Sequence, residues 1–219
     1  APDVAEVLSV LGAQGLTTLA ITNTPDSRLH ANADHTVLLD VGVERSVAAT
    51  KTYAASLLAL YQVVRALGAP LPDPASSLPK NGWLDECEAA ATADAIAVGG
   101  RHSVFTLARG YSYASAMETA LKLMECALIP AKAFSWADFQ HGPTALAVEG
   151  SAAVTYGAVG DGLAERGCQV LRAPTPSTRE ELSPISEIVY GQFLALHAAR
   201  RAGLDPDAPP NLRKVTETT

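Results

Sequence analysis

Read for the spacing of its apolar positions, the chain alternates between two periods, and the alternation predicts an α/β protein. Between Asp3 and Leu11 the apolar residues Val4, Val7, Leu8 and Leu11 recur at helical spacing, and Gly12 and Gly15 close that helix. The run LTTLAITN then has the length and continuity of a buried strand. A turn-rich stretch from Thr24 to Asp34 leads to a second short run, Thr36 to Asp40, and to a long apolar helix from about Val47 to Leu67. Beyond residue 80 the pattern returns in longer form. It predicts a helix through WLDECEAAATAD, a strand near Ser103–Ala108, the turn RGYS, a helix from about Tyr113 to Leu128, and strands near Ala152–Ala158 and Cys168–Ala173. A last amphipathic helix spans Ile185 to Ala202, followed by a polar, proline-rich tail. Strands alternating with helices call for mostly parallel sheets covered on both faces, a three-layer α/β/α arrangement. The segment Val159–Gly167 is shorter than the dozen or so residues of an ordinary parallel crossover, so either that crossover is unusually short or residues are absent from the sequence.

Between the two halves, LGAPLPDPASSLP breaks both periods with closely spaced prolines, as a linker does. The expected organisation is therefore residues 1–69 as a first domain, 70–80 as linker, 81–176 as a second domain, and 177–219 as a C-terminal helix and tail. At 219 residues and 48% hydrophobic, the chain can bury a sizeable core. Its net charge of −7 disfavours a nucleic-acid partner, since no basic stripe is present to track phosphates. Cys87, Cys126 and Cys168 are odd in number and lack metal-ligand spacing, so they read as reduced thiols, and no metal or organic cofactor is expected. No apolar run approaches the roughly 20 residues needed to cross a bilayer. A cytoplasmic protein with a small-molecule partner and no membrane contact is the expectation.

The candidate chemistry lies in AMETALKLMECALIPAKAFSWADFQHGP. Glu118, Lys122 and Glu125 are spaced i, i+4, i+7 and share one stripe of a helix. Met117, Leu121, Met124 and Leu128 form a neighbouring apolar stripe, expected to pack on the sheet and to leave the charged stripe at the edge of the core. A solvated surface helix with a Glu118–Lys122 ion pair, worth about 0.2–0.5 kcal/mol, explains the same spacing. His141, before Gly-Pro, reads either as a turn residue or as a proton shuttle. Lys214 reads as a solvated tail charge unless the fold gives it work, and RGYS is a weak signal for backbone N–H groups offered to a phosphate.

The order of these segments resembles the sugar isomerase (SIS) domain family, and within it the isomerase regions of glucosamine-6-phosphate synthases and the stand-alone glucosamine-6-phosphate deaminases. ARGYSYASAMETALKLMECALIPAKAFSWADFQHGP is similar to the family's helix of pattern ALExALKLKE followed by AEAF and HGP. LAITNTPDSRLHANADHTVLLDVGVERSVAATKTYAASL is similar to its segment ending in VAST-K, and DPDAPPNLRKVTET to its closing tail. The resemblance implies tandem SIS domains, the first incomplete here, with the tail folded over a site between them. It implies Glu125 as the base that moves a proton between C1 and C2 of an open-chain sugar, and His141 as an aid to ring opening supplied by a neighbouring subunit. Lys214 matches the tail lysine that contacts or forms an imine with the sugar. Glu118 and Lys122 match the supporting charged pair, and Val47 and Ala48 the backbone lining the sugar pocket, with Ala49 in place of the usual serine beside them. The family's Ser/Thr-rich phosphate loop would precede Ala1, so the chain is expected to lack an N-terminal portion.

The partner implied is thus a phosphorylated amino sugar or ketose, handled by a homodimer with shared active sites, in an aldose–ketose isomerisation such as glucosamine 6-phosphate to fructose 6-phosphate. The other reading is a regulatory SIS module that binds a sugar phosphate without turning it over. The residue types favour the enzyme: a proton moves between adjacent carbons through an enediol or enolamine, which needs a positioned carboxylate and a cation beside the developing oxyanion.

Overall fold

The computed structural model describes residues 2–76, 78–79, 81–176 and 178–214 of the chain. They fall into two compact units. One runs to Leu71 and takes in Arg213 and Lys214, and the other spans Pro72–Leu212. Ala1, two linker positions (Ser77 and Lys80), Ser177, and the end of the tail motif from Val215 onward lie outside the described residues.

In the first unit, α1 (Pro2–Ala13), β1 (Leu19–Thr22), α2 (Arg28–Ala31), β2 (His35–Leu38) and α3 (Lys51–Ala66) follow one another. β1 and β2 pair in parallel from Leu19↔His35 to Thr22↔Leu38. Their starting ends are tied by Thr18 and Asp34. The Asp34 Oδ2 accepts from the Thr18 amide and hydroxyl, both at 2.8 Å, and the Asp34 amide donates back to the Thr18 hydroxyl at 3.0 Å. Those bonds hold the Asp34 carboxyl below the usual carboxylate range. Helical spacing predicted α1 correctly, yet Val4, Val7, Val10 and Leu11 on it are exposed and, among its described side chains, only Ala5 is buried.

The second unit is built on four parallel strands, β3 (Ser103–Ala108), β4 (Ala131–Ser135), β5 (Ser151–Thr155) and β6 (Gln169–Arg172), in the order β4-β3-β5-β6. Around them stand α4 (Trp83–Val98), α5 (Tyr113–Ala127), α6 (Trp136–Gln140) and α7 (Ser183–Arg201). The expected α/β class with parallel sheets is what the chain adopts. β4 escaped the pattern because AKAFS is short, carries no β-branched residue and has an exposed lysine in it. β5 and β6 pair in parallel and are joined by residues 156–168, which carry one 3₁₀ turn, Ala164–Arg166, in place of a crossover helix.

Strand alternation sorts the two faces of this sheet. Thr106 of β3 donates its hydroxyl to the Ala116 carbonyl at 2.7 Å, so its face looks at α5. Phe105 points the other way and meets Phe139 of α6 edge-on, with ring centroids 5.1 Å apart. On the first face α7 packs against both α5 and α4. On the second, Phe105, Leu107, Phe139, Ala153 and Leu163 form a core with Phe134 and Trp136 against it. α5 inverts one sequence expectation. Its stripe of Met117, Leu121, Met124 and Leu128 is exposed, between 41% and 55%, while Glu118 and Lys122 are buried. The inward face is instead made of small residues, Ala116, Thr119, Ala120 and Ala127 with Leu123. Small side chains admit a close approach: at Gly191 of α7 an added methyl would land within the Thr119 hydroxyl and 2.7 Å from the Tyr156 hydroxyl. Apolar spacing marks a helix, but which stripe turns inward is set by how closely its neighbours pack.

Candidate active site

Helical geometry places Glu118, Lys122 and Glu125 on consecutive turns of α5, and their heads meet. The Lys122 ammonium sits 3.3 Å from Glu118 Oε1 and 2.5 Å from Glu125 Oε2. Burial falls along the row: the side chains of Lys122 and Glu118 are 4% and 9% exposed, that of Glu125 26%. Burial works against the Lys122 charge, but the hydrogen bond it donates to Glu125 and the charges of both carboxylates outweigh it and raise its pKa above the ordinary lysine value. The amine therefore stays an ammonium and fixes Glu125 at the half-open end of the row. A solvated helix face, the plainer explanation of the spacing, does not describe a lysine so buried.

His141 belongs to the other face of the sheet. β4 runs into α6, whose N-cap Ser135 accepts from the Asp138 amide at 3.2 Å and donates to the Asp138 carboxylate at 2.7 Å. His141 caps the far end of α6 by donating its own amide to the Asp138 carbonyl, and its side chain is exposed. Because α5 covers the Thr106 face and α6 the Phe105 face, the sheet lies between Glu125 and His141 of one chain. The structure thus unites Glu118, Lys122 and Glu125 and keeps His141 apart from them.

The RGYS turn is arranged differently from an anion cradle. Gly110 takes φ 59°, and Ser112 donates its hydroxyl to Glu187 Oε1 of α7 at 3.1 Å. Burial pushes the Glu187 carboxyl up despite the hydrogen bonds from Ser112 and Ser115. A carboxyl of the chain itself therefore stands at the start of α5 and already takes the Ser112 hydroxyl that an anion there would use.

In the first unit, a second group of polar residues surrounds a cavity of about 580 Å3 near the C-terminal ends of β1 and β2, where ligands bind in open parallel sheets. Asn23, Asp40, Glu44, Ala49, Thr52 and Lys214 are among the residues that line it. Of the sequence candidates, Ala49 and Lys214 thus line the same cavity, with Val47 half-buried and Ala48 buried in the adjacent loop. The loop is clamped from two sides. The Asn23 side chain donates to the Gly42 carbonyl at 2.8 Å and accepts from the Val41 amide at 3.1 Å, while Lys51 donates to the carbonyls of Val41 and Val43. Glu44 anchors the start of α3: its Oε1 accepts from the amides of Thr50, Lys51 and Thr52 at 3.0, 2.7 and 3.3 Å, and its Oε2 from the Thr52 hydroxyl. Burial alone would raise the Glu44 pKa, but these bonds prevail and hold it at about 2. Sequence reasoning missed Asn23, Glu44 and Thr52 as site residues. The signal was in GVERSVAATKT, where Glu44 stands six residues before Thr50, a helix-start residue, too far for the usual capping pattern.

Among the described residues no helix is long and apolar enough to cross a membrane. A SIS domain profile matches residues 1–66. A glutamine–fructose-6-phosphate aminotransferase (isomerizing) of Lactiplantibacillus plantarum is 32% identical over 251 residues, covering 97% of this chain and 41% of the relative, so the chain spans well under half of that protein. A protein from Silicibacter pomeroyi described as a phosphosugar isomerase has a similar structure, with a TM-score of 0.75, 30% identity, and coverage of 94% of this chain and 70% of the other. Glucosamine-6-phosphate deaminase of Thermotoga maritima shares the fold, with a TM-score of 0.80 at 24% identity over 94% of this chain and 68% of that one. With a profile match at one end and relatives aligned along nearly its whole length, the chain belongs to the SIS domain family.

Proposed function

We propose that the chain takes part in aldose–ketose isomerisation of a phosphorylated amino sugar, interconverting glucosamine 6-phosphate and fructose 6-phosphate in the manner of a deaminase or of a synthase's isomerase module. The observation that carries this reading is the buried Glu118–Lys122–Glu125 row. It holds one carboxylate, Glu125, at a half-open position beside a permanent cation. In the proposed step Glu125 removes a proton from one of the adjacent carbons C1 and C2 and returns it to the other, and Lys122 stabilises the carboxylate's orientation. With Oε2 engaged by Lys122, Oε1 is the oxygen assigned to the proton. His141 is assigned to ring opening. Since the sheet separates it from Glu125 within a chain, a site that uses both draws them from two copies, and this supports a homodimer with shared sites. Lys214 is assigned to the sugar carbonyl, as a hydrogen-bond donor or as the amine of an imine.

The names of the relatives support the sugar-phosphate substrate class, and the residue chemistry supports turnover over mere binding. The deciding assay is release of ammonia and fructose 6-phosphate from glucosamine 6-phosphate by the full-length protein without glutamine. Turnover that Glu125→Gln reduces at least about a hundredfold, the range of a lost general base, supports the reading. Unchanged turnover in Glu125→Gln refutes the assigned base. Tight sugar-phosphate binding with no turnover points to the regulatory module.

A further inference from the structure

Glu44 is poised between two tasks, and only one of them is structural. Its Oε1 serves the first turn of α3 through three amides, as a capping carboxylate does. Its Oε2 lies 3.8 Å from the Lys214 ammonium, and both residues line the cavity. The Glu44 side chain is 6% exposed and that of Lys214 42%, so a fixed, buried carboxylate meets the head of a long, half-exposed side chain from the chain's end. A cap needs a single acceptor oxygen. The second oxygen, held by the Thr52 hydroxyl, places a full negative charge on the cavity wall at the height of the amine.

We propose that Glu44 is the positioning residue for Lys214, holding its amine at the cavity and matching the positive charge it carries before and after reaction with a carbonyl. The proposal rests on the phosphosugar reading for the identity of that carbonyl, though not for the pairing itself. The charge match follows from the balance of imine formation. An ammonium and a ketone, R–NH3⁺ and O=C, give a protonated imine, R–NH⁺=C, and water. The ammonium first gives up one proton, the freed nitrogen pair attacks the carbonyl carbon, and the C–O bond breaks as the oxygen leaves as water, carrying away that returned proton and a second one from nitrogen. The nitrogen carries one positive charge at the start and one at the end. A carboxylate that stays ionised pairs equally with both, and Glu44 is ionised at any pH where an isomerase works. Without it the tail amine has no fixed counter-charge among the cavity-lining residues other than Asp40, for which no contact with Lys214 is observed.

Glu44→Gln separates the two tasks, because the amide oxygen still accepts from the α3 amides while the NH2 removes the charge facing Lys214. Reductive methylation of the intact chain with labelled formaldehyde, followed by peptide mass spectrometry, reads the accessibility of each lysine amine. Lys51 serves as the internal reference, since it is held by the carbonyls of Val41 and Val43. The expected result is a rise in the Lys214-to-Lys51 labelling ratio of about threefold in Glu44→Gln, the size a half-exposed ion pair supports. An unchanged ratio, including one in which both lysines accelerate together because α3 has loosened, overturns the proposal. Borohydride trapping with fructose 6-phosphate then tests the function. An adduct on Lys214 in the wild type that falls severalfold in Glu44→Gln, and disappears in Lys214→Ala, supports the full proposal. An equal adduct in Glu44→Gln overturns the charge-matching role. A changed labelling ratio with no adduct in the wild type upholds the pairing and removes the imine from the phosphosugar reading.

Discussion

Replacing Lys122 by methionine tests whether the charged row on α5 is as buried as its geometry states. Methionine has nearly the length of lysine and fills the same channel, so packing changes little. What changes is charge: Glu118 and Glu125 lose the cation that stands 3.3 and 2.5 Å from them, and Glu118 has only a small opening to water. Breaking a buried pair by removing one partner costs about 3–5 kcal/mol, against about 0–1 for an exposed pair, and the near-complete burial of Lys122 argues for the larger range. The protein carries two tryptophans, Trp83 and Trp136, and both belong to the Pro72–Leu212 unit. Urea unfolding followed by tryptophan fluorescence therefore reads the stability of that unit. Lys122→Met should lower it by about 3 kcal/mol or more. Adding Glu118→Gln and Glu125→Gln to Lys122→Met should restore most of the loss, since no unpaired charge then remains in the core. A loss below about 1 kcal/mol in the single variant would show a solvated ion pair and would sink the reasoning. The same group sets an alkaline limit. Its folded pKa lies above the unfolded value of 10.5, so its contribution is complete below that pH and disappears as the pH rises through the folded value.

Gly191→Ala should destabilise the same unit by about 1–3 kcal/mol or more, because the new methyl collides with Thr119 and Tyr156 where α7 crosses α5; a melt indistinguishable from wild type would mean the helices are not so close. Glu44 should give the first unit an acid-sensitive contribution. Its folded pKa of about 2 lies below the ordinary 4.5, so stability present above pH 4.5 is lost as pH falls toward 2, by up to about 3 kcal/mol, and Glu44→Gln should flatten that slope in hydrogen exchange of α3 amides. Replacing Asn23 by alanine should free the Val41–Gly42 loop and raise amide exchange there at least about tenfold, the effect of about 1.4 kcal/mol for a pair of side-chain bonds lost. Protection unchanged at Val41 would show that Lys51 alone holds the loop.

How much of this was legible in the sequence depended on what each pattern physically encodes. Periodicity encodes local conformation, so β3 was placed at its true bounds, and α5 came within a residue. It does not encode what lies across from a face. The Met117–Leu128 stripe read as core because its residues are large, yet the inner face of α5 is made of small ones that let α7 come close. β4 was invisible for a related reason: its five residues are defined by parallel pairing with β3 from Val104↔Ala131 to Ala108↔Ser135, and not by any preference of AKAFS itself. The Glu118–Lys122–Glu125 row was readable because helical spacing fixes which side chains can meet. Glu44 was not, since its contacts reach across six to eight residues of irregular loop, where no period applies.

The depth of the charged row bears on why it is there. A buried ion pair is a weak source of stability, since apolar side chains of similar volume serve as well or better. If stability were the whole account, a row of Met and Leu at these positions would suit α5, which already exposes such residues on its other side. What apolar side chains lack is the ability to fix a carboxylate at the rim. Lys122 does this from below, with Glu118 balancing the rest of its charge, and the burial gradient from 9% at Glu118 to 26% at Glu125 leaves only the last group half open. The neutral triple variant described above separates these accounts. On the proposed function it folds with near wild-type stability and does not turn over glucosamine 6-phosphate, because the stability it recovers and the proton transfer it loses depend on different features of the same three residues.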